Sequence, residues 1–175
     1  MRIRAEKEYE EPDNTSEYKI AKRIDQLNQS WWYNGGFMEV KVIRGNVGYV
    51  KLGGFAPLFM YQDFADAYMK LIANTDAVIV DLTMNGGGDP RMVQYLRSFF
   101  FDDKRHLNSL YYREGERTEE YWTLDEVNGK KMPNVPLFVM TSQRTFSGAE
   151  EFSYNMQTQK RATLVGQTTG GGANP

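Results

Sequence analysis

The sequence predicts an α/β domain with substantial parallel strand pairing. Three short apolar runs have the composition of strands that are covered on both faces: AVIVDL, VPLFVMTS and ATLVG, at 77–82, 135–142 and 162–166. Segments with helical spacing alternate with these runs. Because buried strands that alternate with helices are joined by crossovers, this order is typical of an α/β core.

The remaining elements follow from their own periodicity. An amphipathic helix is predicted at 15–30, and from Phe37 alternating residues across an Asn-containing turn predict a hairpin. Asp89-Pro90 is a suitable cap and first turn for a helix that runs to about Phe100. Further helices are predicted at 58–73 and 147–157, and two extended pieces with a polar connection at 111–126. The aromatic clusters 31–33 and 99–101 are expected in the core or at an interface.

Composition excludes several classes of function. The 175 residues carry 21 Lys+Arg against 23 Asp+Glu, for a net charge of −2 and without basic blocks, so no nucleic-acid partner is expected. There is no cysteine and one histidine, His106, which reads as a solvated loop residue, so neither a metal site nor a cofactor is predicted. No apolar run has the length of a membrane span, and the start lacks the apolar core of a signal peptide. The compartment stays undetermined, and a longer parent protein could be exported.

Each of the three buried strands runs into a loop rich in Gly, Ser or Thr. The carboxyl ends of such strands form the crevice where α/β proteins bind ligands. One interpretation is a phosphate site, but no GxxxxGK[ST] or clean GxGxxG pattern is present. Another is that Ser147, at a helix start and followed by Gly148, is a nucleophile beside an oxyanion hole. The alternative for Ser147 is a capping box with Glu150, with Thr145 as another candidate cap, and for the triple glycine a tight turn.

Four segments together resemble the carboxyl-terminal processing (tail-specific) serine peptidase family. They are RGNVGYVKLGGF, AVIVDLTMNGGGDPRMVQYLRSFFFD, PLFVMTSQRTFSGAEEFSYNMQ and KRATLVGQTTGGGANP, in the family's order within 37–175. The most similar branch includes interphotoreceptor retinoid-binding protein and the tricorn protease core. The resemblance implies a crotonase-like ββα spiral core at 37–175, behind an N-terminal segment of 1–36. It also implies a peptide or protein as the substrate.

The resemblance also implies roles for particular residues. Ser147 matches the position of the nucleophile, and the backbone N–H groups of Gly148 and Gly87 match the oxyanion donors. Gly86, Gly88 and Thr145 flank them and are candidates for substrate binding.

Two departures from the family pattern support a different function. The lysine base of the processing branch falls at Gly172, and the histidine base of the tricorn-like branch would precede Met1, so the chain is interpreted as a truncated or decayed domain without a visible general base. The alternative is therefore a non-catalytic module that binds a retinoid or fatty acid on the same scaffold. Truncation would expose strand edges, through which a homodimer could form.

Overall fold

The computed structural model describes residues 34–172, which fold around one five-stranded sheet. The helix predicted at 15–30, the aromatic cluster at 31–33 and most of the 1–36 segment lie outside the described residues. After a short 3-10 turn at Asn34–Gly36, the elements follow in this order: β1 Phe37–Ile43, β2 Val47–Leu52, α1 Leu58–Ile72, β3 Ala77–Asp81, α2 Pro90–Ser98, β4 His106–Tyr112, β5 Arg117–Trp122, β6 Leu137–Thr141, α3 Gly148–Thr158 and β7 Thr163–Gly166.

The sheet has the order β1-β2-β3-β6-β7, and its pairing is mixed. β1 and β2 form the predicted antiparallel hairpin, whereas β2, β3, β6 and β7 run parallel to one another. The prediction of an α/β fold with parallel pairing is therefore confirmed. Because β3, β6 and β7 are parallel, the loops that follow them leave the sheet at the same edge.

The core lies where the sheet meets the helices. Alternate residues of β3 and β6, such as Val78 and Val139, are fully buried. Their neighbours on the other face are not, since Ile79 is half-buried and Phe138 is exposed. The prediction that these strands are covered on both faces is therefore wrong. Phe99, Phe100 and Phe101 are also buried, so this aromatic cluster belongs to the core. The predicted cap of the helix after β3 is confirmed, since Asp89 accepts a hydrogen bond from the N–H of Arg91 and Pro90 opens the helix.

The two extended pieces predicted at 111–126 form a separate hairpin, β4–β5, which begins earlier than expected. His106 is consequently the first residue of β4 rather than a loop residue. It is exposed, its Nε2 lies 2.8 Å from the Ser109 hydroxyl, and its ring contacts Trp122. Within residues 34–172, no helix is long and apolar enough to cross a membrane.

Candidate active site

The loops after β3 and β6 meet at the carboxyl edge of the sheet. The N–H of Phe146 donates to the carbonyl oxygen of Asn85 at 3.0 Å, and the Thr145 hydroxyl donates to the carbonyl oxygen of Leu82 at 2.8 Å. These bonds join the turn that precedes Ser147 to the loop that carries the triple glycine. Because Asn85 and Thr145 are fully buried, the junction is a fixed part of the structure.

Gly87 lies directly against Ser147 and Gly148. A Cβ atom at Gly87 would be 2.8 Å from both the Gly148 nitrogen and the Ser147 Cβ, and 2.9 Å from the carbonyl oxygen of Phe146. The φ of Gly87 is +101°, a conformation that residues with a Cβ rarely adopt. The glycine is thus required for the two loops to approach this closely.

Ser147 has an unusual backbone for a residue at the start of a helix. Its φ of 50° and ψ of −123° lie outside the extended region in which N-cap residues are usually found. Positive φ at a non-glycine residue is a strained conformation, and such residues concentrate at functional sites. The serine of α/β hydrolases likewise occupies a sharp, strained strand-to-helix turn.

The capping interpretation accounts for part of this turn. Ser147 and Glu150 are arranged as a capping box, and the N–H of Ser147 donates to Oε2 of Glu150 at 2.9 Å. The N–H of Glu150 also donates to the carbonyl oxygen of Ser147 at 2.8 Å, so the serine side chain is at most a second acceptor for this N–H. A capping serine accepts through Oγ and does not donate its O–H proton to the helix.

Ser147 lines a cleft of about 220 Å³ between the glycine loop, the start of α3 and β4. One face of β4, at alternate positions, supplies the opposite wall. The lining residues are Gly88, Pro90, Asn108, Leu110, Tyr112, Ser147, Gly148 and Glu151. None of them is a histidine or a lysine, so this cleft contains no basic side chain within the described part of the chain.

Among the described residues, Glu151 is the only carboxylate that lines the cleft, and it forms an ion pair with Arg97. Its Oε1 lies 2.6 Å from Nη2 of Arg97, whose side chain is completely buried. Burial lowers the pKa of Arg97, whereas the adjacent Glu151 raises it. A guanidinium remains charged in proteins, so Glu151 neutralises a buried cation beneath the cleft.

A third loop, after β7, reaches the same turn through Glu150. The Glu150 carboxylate accepts the N–H groups of Gly171 and Gly172, both at 2.7 Å, in addition to that of Ser147. A Cβ at Gly172 would lie 1.8 Å from Cζ of Phe146, so the Phe146 ring occupies the space that a side chain at position 172 would need.

The structure brings most of the predicted site residues together, and their catalytic roles stay predictions. Ser147, Gly148, Gly87 and Gly88 are adjacent, as expected. The N–H of Gly87 is already donated to the Asn85 side chain at 2.8 Å, so Gly87 shapes the loop but is not a free oxyanion donor. The N–H groups of Gly88 and Gly148 have no acceptor among residues 34–172.

Thr145 and Gly86 do not line the cleft. The Thr145 hydroxyl accepts the N–H of Ser142 and donates to Leu82, so its bonding capacity is used within the turn rather than offered to a substrate. Gly86 is exposed on the loop, with nothing within 4 Å of where its Cβ would be.

Several residues of the site were not predicted from the sequence. These are Asn85 in the glycine loop, the wall of β4 and the Arg97–Glu151 pair. The alternation of Asn108, Leu110 and Tyr112 predicts a strand with one distinct face, but it does not show that this face meets Ser147. Among the described residues there is no group of His, Asp or Glu that could hold a metal ion.

The fold and this site define a class of protein: an α/β domain with a serine on a strained strand-to-helix turn, the arrangement that serine hydrolases of α/β type use for a nucleophile. The model of Peptidase family S41 matches residues 46–174. The chain belongs to peptidase family S41, the family of the carboxyl-terminal processing peptidases.

Similarity to known proteins agrees with the assignment to family S41. A carboxyl-terminal-processing protease of Synechocystis sp. (strain ATCC 27184 / PCC 6803 / Kazusa) is 31% identical over 127 residues, which are 72% of this chain and 28% of that protein. A structure assigned as an S41 protease from Bacteroides fragilis NCTC 9343 is similar with a TM-score of 0.69 and 20% identity, over 78% of this chain and 40% of that one.

The photosystem II D1 C-terminal processing protease is similar with a TM-score of 0.58 and 20% identity, over 75% of this chain and 34% of that chain. The chain therefore spans less than half the length of each of these three proteins.

Proposed function

We propose that this chain carries the nucleophile and the oxyanion hole of a serine-type peptidase that cleaves peptide or protein substrates. The observation that carries the proposal is the strained Ser147 turn, packed against the glycine loop at the edge of the cleft. A capping serine needs neither positive φ nor a glycine loop within contact distance. A nucleophile needs both, because its hydroxyl has to be exposed and donors have to face the oxyanion.

In the proposed reaction, Oγ of Ser147 attacks the carbonyl carbon of the scissile peptide bond. The carbonyl oxygen then becomes an anion, which the N–H groups of Gly148 and Gly88 would stabilise. Gly148 is the first residue of α3, so its N–H lies at the positive end of the helix dipole. Collapse of this intermediate breaks the C–N bond, the amine leaves with a proton, and water hydrolyses the resulting serine ester.

The serine proton has to pass to a general base. Among residues 34–172 the cleft contains no histidine or lysine, and its carboxylate, that of Glu151, is paired with the buried Arg97. We propose that the site is incomplete in this part of the chain and that the base comes from elsewhere. The Phe146 ring, which occupies the space next to Gly172, supports this, because a lysine there would require the ring to move.

The alternative of a hydrophobic-ligand module would need a larger cavity than the cleft at Ser147. That cleft has a volume of about 220 Å³, whereas pockets for drug-sized ligands measure roughly 300–1,000 Å³, and the described residues line clefts of about 480 and 360 Å³ away from Ser147. For the fold we propose the crotonase-like spiral, supported by the ββα unit of β1, β2 and α1 and the strand–helix units β3–α2 and β6–α3 that follow.

A fluorophosphonate probe tests the nucleophile directly. Intact mass and peptide mapping are expected to show one phosphonyl adduct, on Ser147, and Ser147→Ala is expected to abolish it. Ser153→Ala is the matched control, because Ser153 is a buried serine of the same helix and donates to the carbonyl oxygen of Ala149. Equal labelling of Ser147→Ala would refute the assignment of the nucleophile.

A second experiment tests the proposal that the described part of the site lacks a general base. Free imidazole can replace a general base that a site lacks, so it is expected to accelerate labelling of Ser147 and to leave Ser147→Ala unlabelled. If the wild-type protein does not label with or without imidazole, the proposed hydrolase site is wrong.

A further inference from the structure

The Glu150 carboxylate is the meeting point of two separate segments of the chain. It is buried and lies one turn into α3. Its Oε2 accepts the N–H groups of Ser147 and Gly172, and its Oε1 accepts the N–H of Gly171. Burial alone raises the pKa of Glu150, but hydrogen bonds from the Thr169 side chain and from these three N–H groups outweigh it, so the pKa lies below its usual value.

These donors need a shared acceptor. The turn at Ser147 and the segment 169–172 both present N–H groups to the same place, and N–H groups cannot bond to one another. A carboxylate offers about four lone-pair positions on two oxygens, which is enough for all of them. Charge-assisted bonds of this kind are roughly twice as strong as neutral ones.

We propose that Glu150 is a positioning residue of the peptidase site, whose ionised carboxylate holds the Ser147 turn and the 169–172 segment in one arrangement. This inference rests on the proposed function. The other contacts of the segment hold its beginning: the N–H of Gln167 bonds to Thr141, and that of Gly170 bonds to Thr145. Beyond Gly170, the hydrogen bonds of the described segment go to Glu150.

A glutamine at this position cannot serve the same donors. Its amide has one oxygen acceptor, while its NH2 group would face an N–H of Gly171 or of the Ser147–Gly172 pair. At least one donor would be left unbonded and the Ser147 turn would lose its anchor. A displacement of about 1 Å at a reacting group costs on the order of 10²-fold in rate.

The test uses Glu150→Gln beside Met156→Val as the matched control. Met156 is fully buried in the same helix, two turns from the cleft, so Met156→Val lowers stability without touching Glu150 or its donors. Amide hydrogen exchange, measured by NMR at equal global stability, is expected to be faster for Ser147, Gly171 and Gly172 in Glu150→Gln only. Fluorophosphonate labelling of the folded protein is expected to fall by about 10²-fold in Glu150→Gln and to remain at the wild-type rate in Met156→Val.

The two measurements separate the possible failures. Unchanged exchange at the three amides, or wild-type labelling in Glu150→Gln, would overturn the role of Glu150. Absence of labelling in the wild-type protein would overturn the proposed function instead. In that case faster exchange in Glu150→Gln would limit Glu150 to a structural role and refute its role in a peptidase site.

Discussion

Substitution of Gly87 by alanine tests the contact between the glycine loop and the Ser147 turn. The added Cβ would lie 2.8 Å from the Gly148 nitrogen and 2.8 Å from the Ser147 Cβ. Both atoms belong to the turn itself and cannot rotate away as the end of a long side chain can. The φ of +101° adds a second penalty, since an L-residue is strained there.

The expected cost follows from these two effects. A left-handed backbone costs an alanine about 1–2 kcal/mol, and an extra carbon in a packed site costs about 1–3 kcal/mol. Gly87→Ala is therefore expected to lower the free energy of unfolding by about 2–5 kcal/mol, a large part of the roughly 5–15 kcal/mol of a typical domain. The matched control is Gly86→Ala, one residue earlier. Its added Cβ would have nothing within 4 Å, so stability is expected to change by no more than about 0.5 kcal/mol.

Urea unfolding followed by tryptophan fluorescence measures the two variants against the wild-type protein. Fluorophosphonate labelling, normalised to the folded fraction, gives a second readout for Gly87→Ala. If the contact also sets the position of the Gly148 N–H, labelling is expected to fall by about 10²–10³-fold, the effect of losing one oxyanion donor. Equal unfolding midpoints for Gly86→Ala and Gly87→Ala would refute the reasoning, because they would show that the loop can move away from Ser147 at little cost.

Two further predictions concern charged groups around the cleft. Glu151→Gln leaves the buried Arg97 without its anion and is expected to destabilise the protein by about 3–5 kcal/mol in urea unfolding. Glu119→Gln, which breaks the exposed pair with Arg117, is the control and is expected to cost at most about 1 kcal/mol; equal losses would contradict the difference in burial. The folded pKa of Glu150 is depressed, so its contribution to stability is expected in full above the unfolded pKa of about 4.3 and to be lost as the pH falls through the folded pKa. The gap in urea midpoint between wild type and Glu150→Gln should therefore close in acid, and a gap that persists unchanged at the lowest pH would contradict the prediction.

The elements that depend on local pattern could be predicted from the sequence. The apolar run 77–82 and the pair Asp89-Pro90 are sufficient to predict a buried strand followed by a capped helix, because both signals lie within one short segment. The same holds for the Asn-containing turn of the first hairpin. His106 was misplaced because residues 106–109 of its strand, HLNS, contain one apolar residue, Leu107, and a single residue gives no apolar alternation.

The composition of the cleft could not be predicted in this way. Leu110 and Tyr112 become part of the site only when the β4–β5 hairpin packs near α3, and no local pattern specifies that contact. Whether Gly87 can donate to an oxyanion depends on the orientation of the peptide group that carries its N–H. Its N–H turns toward the side chain of Asn85, and a run of three glycines permits so many backbone conformations that sequence alone cannot choose among them.

The backbone of Ser147 favours one of the two interpretations of its motif. Residues held at sparsely populated φ and ψ cost about 1–3 kcal/mol and persist only where surrounding contacts enforce them. Here the Glu150 carboxylate holds the N–H of Ser147, and the carbonyl oxygen of Asn85 holds that of Phe146. A serine that only caps a helix adopts extended backbone angles, which are not strained. For a cap, contacts that enforce the strained angles would bring no gain in stability. A catalytic role explains the conformation instead: the strained backbone would expose Oγ of Ser147 to the cleft, beside the N–H groups of Gly88 and Gly148.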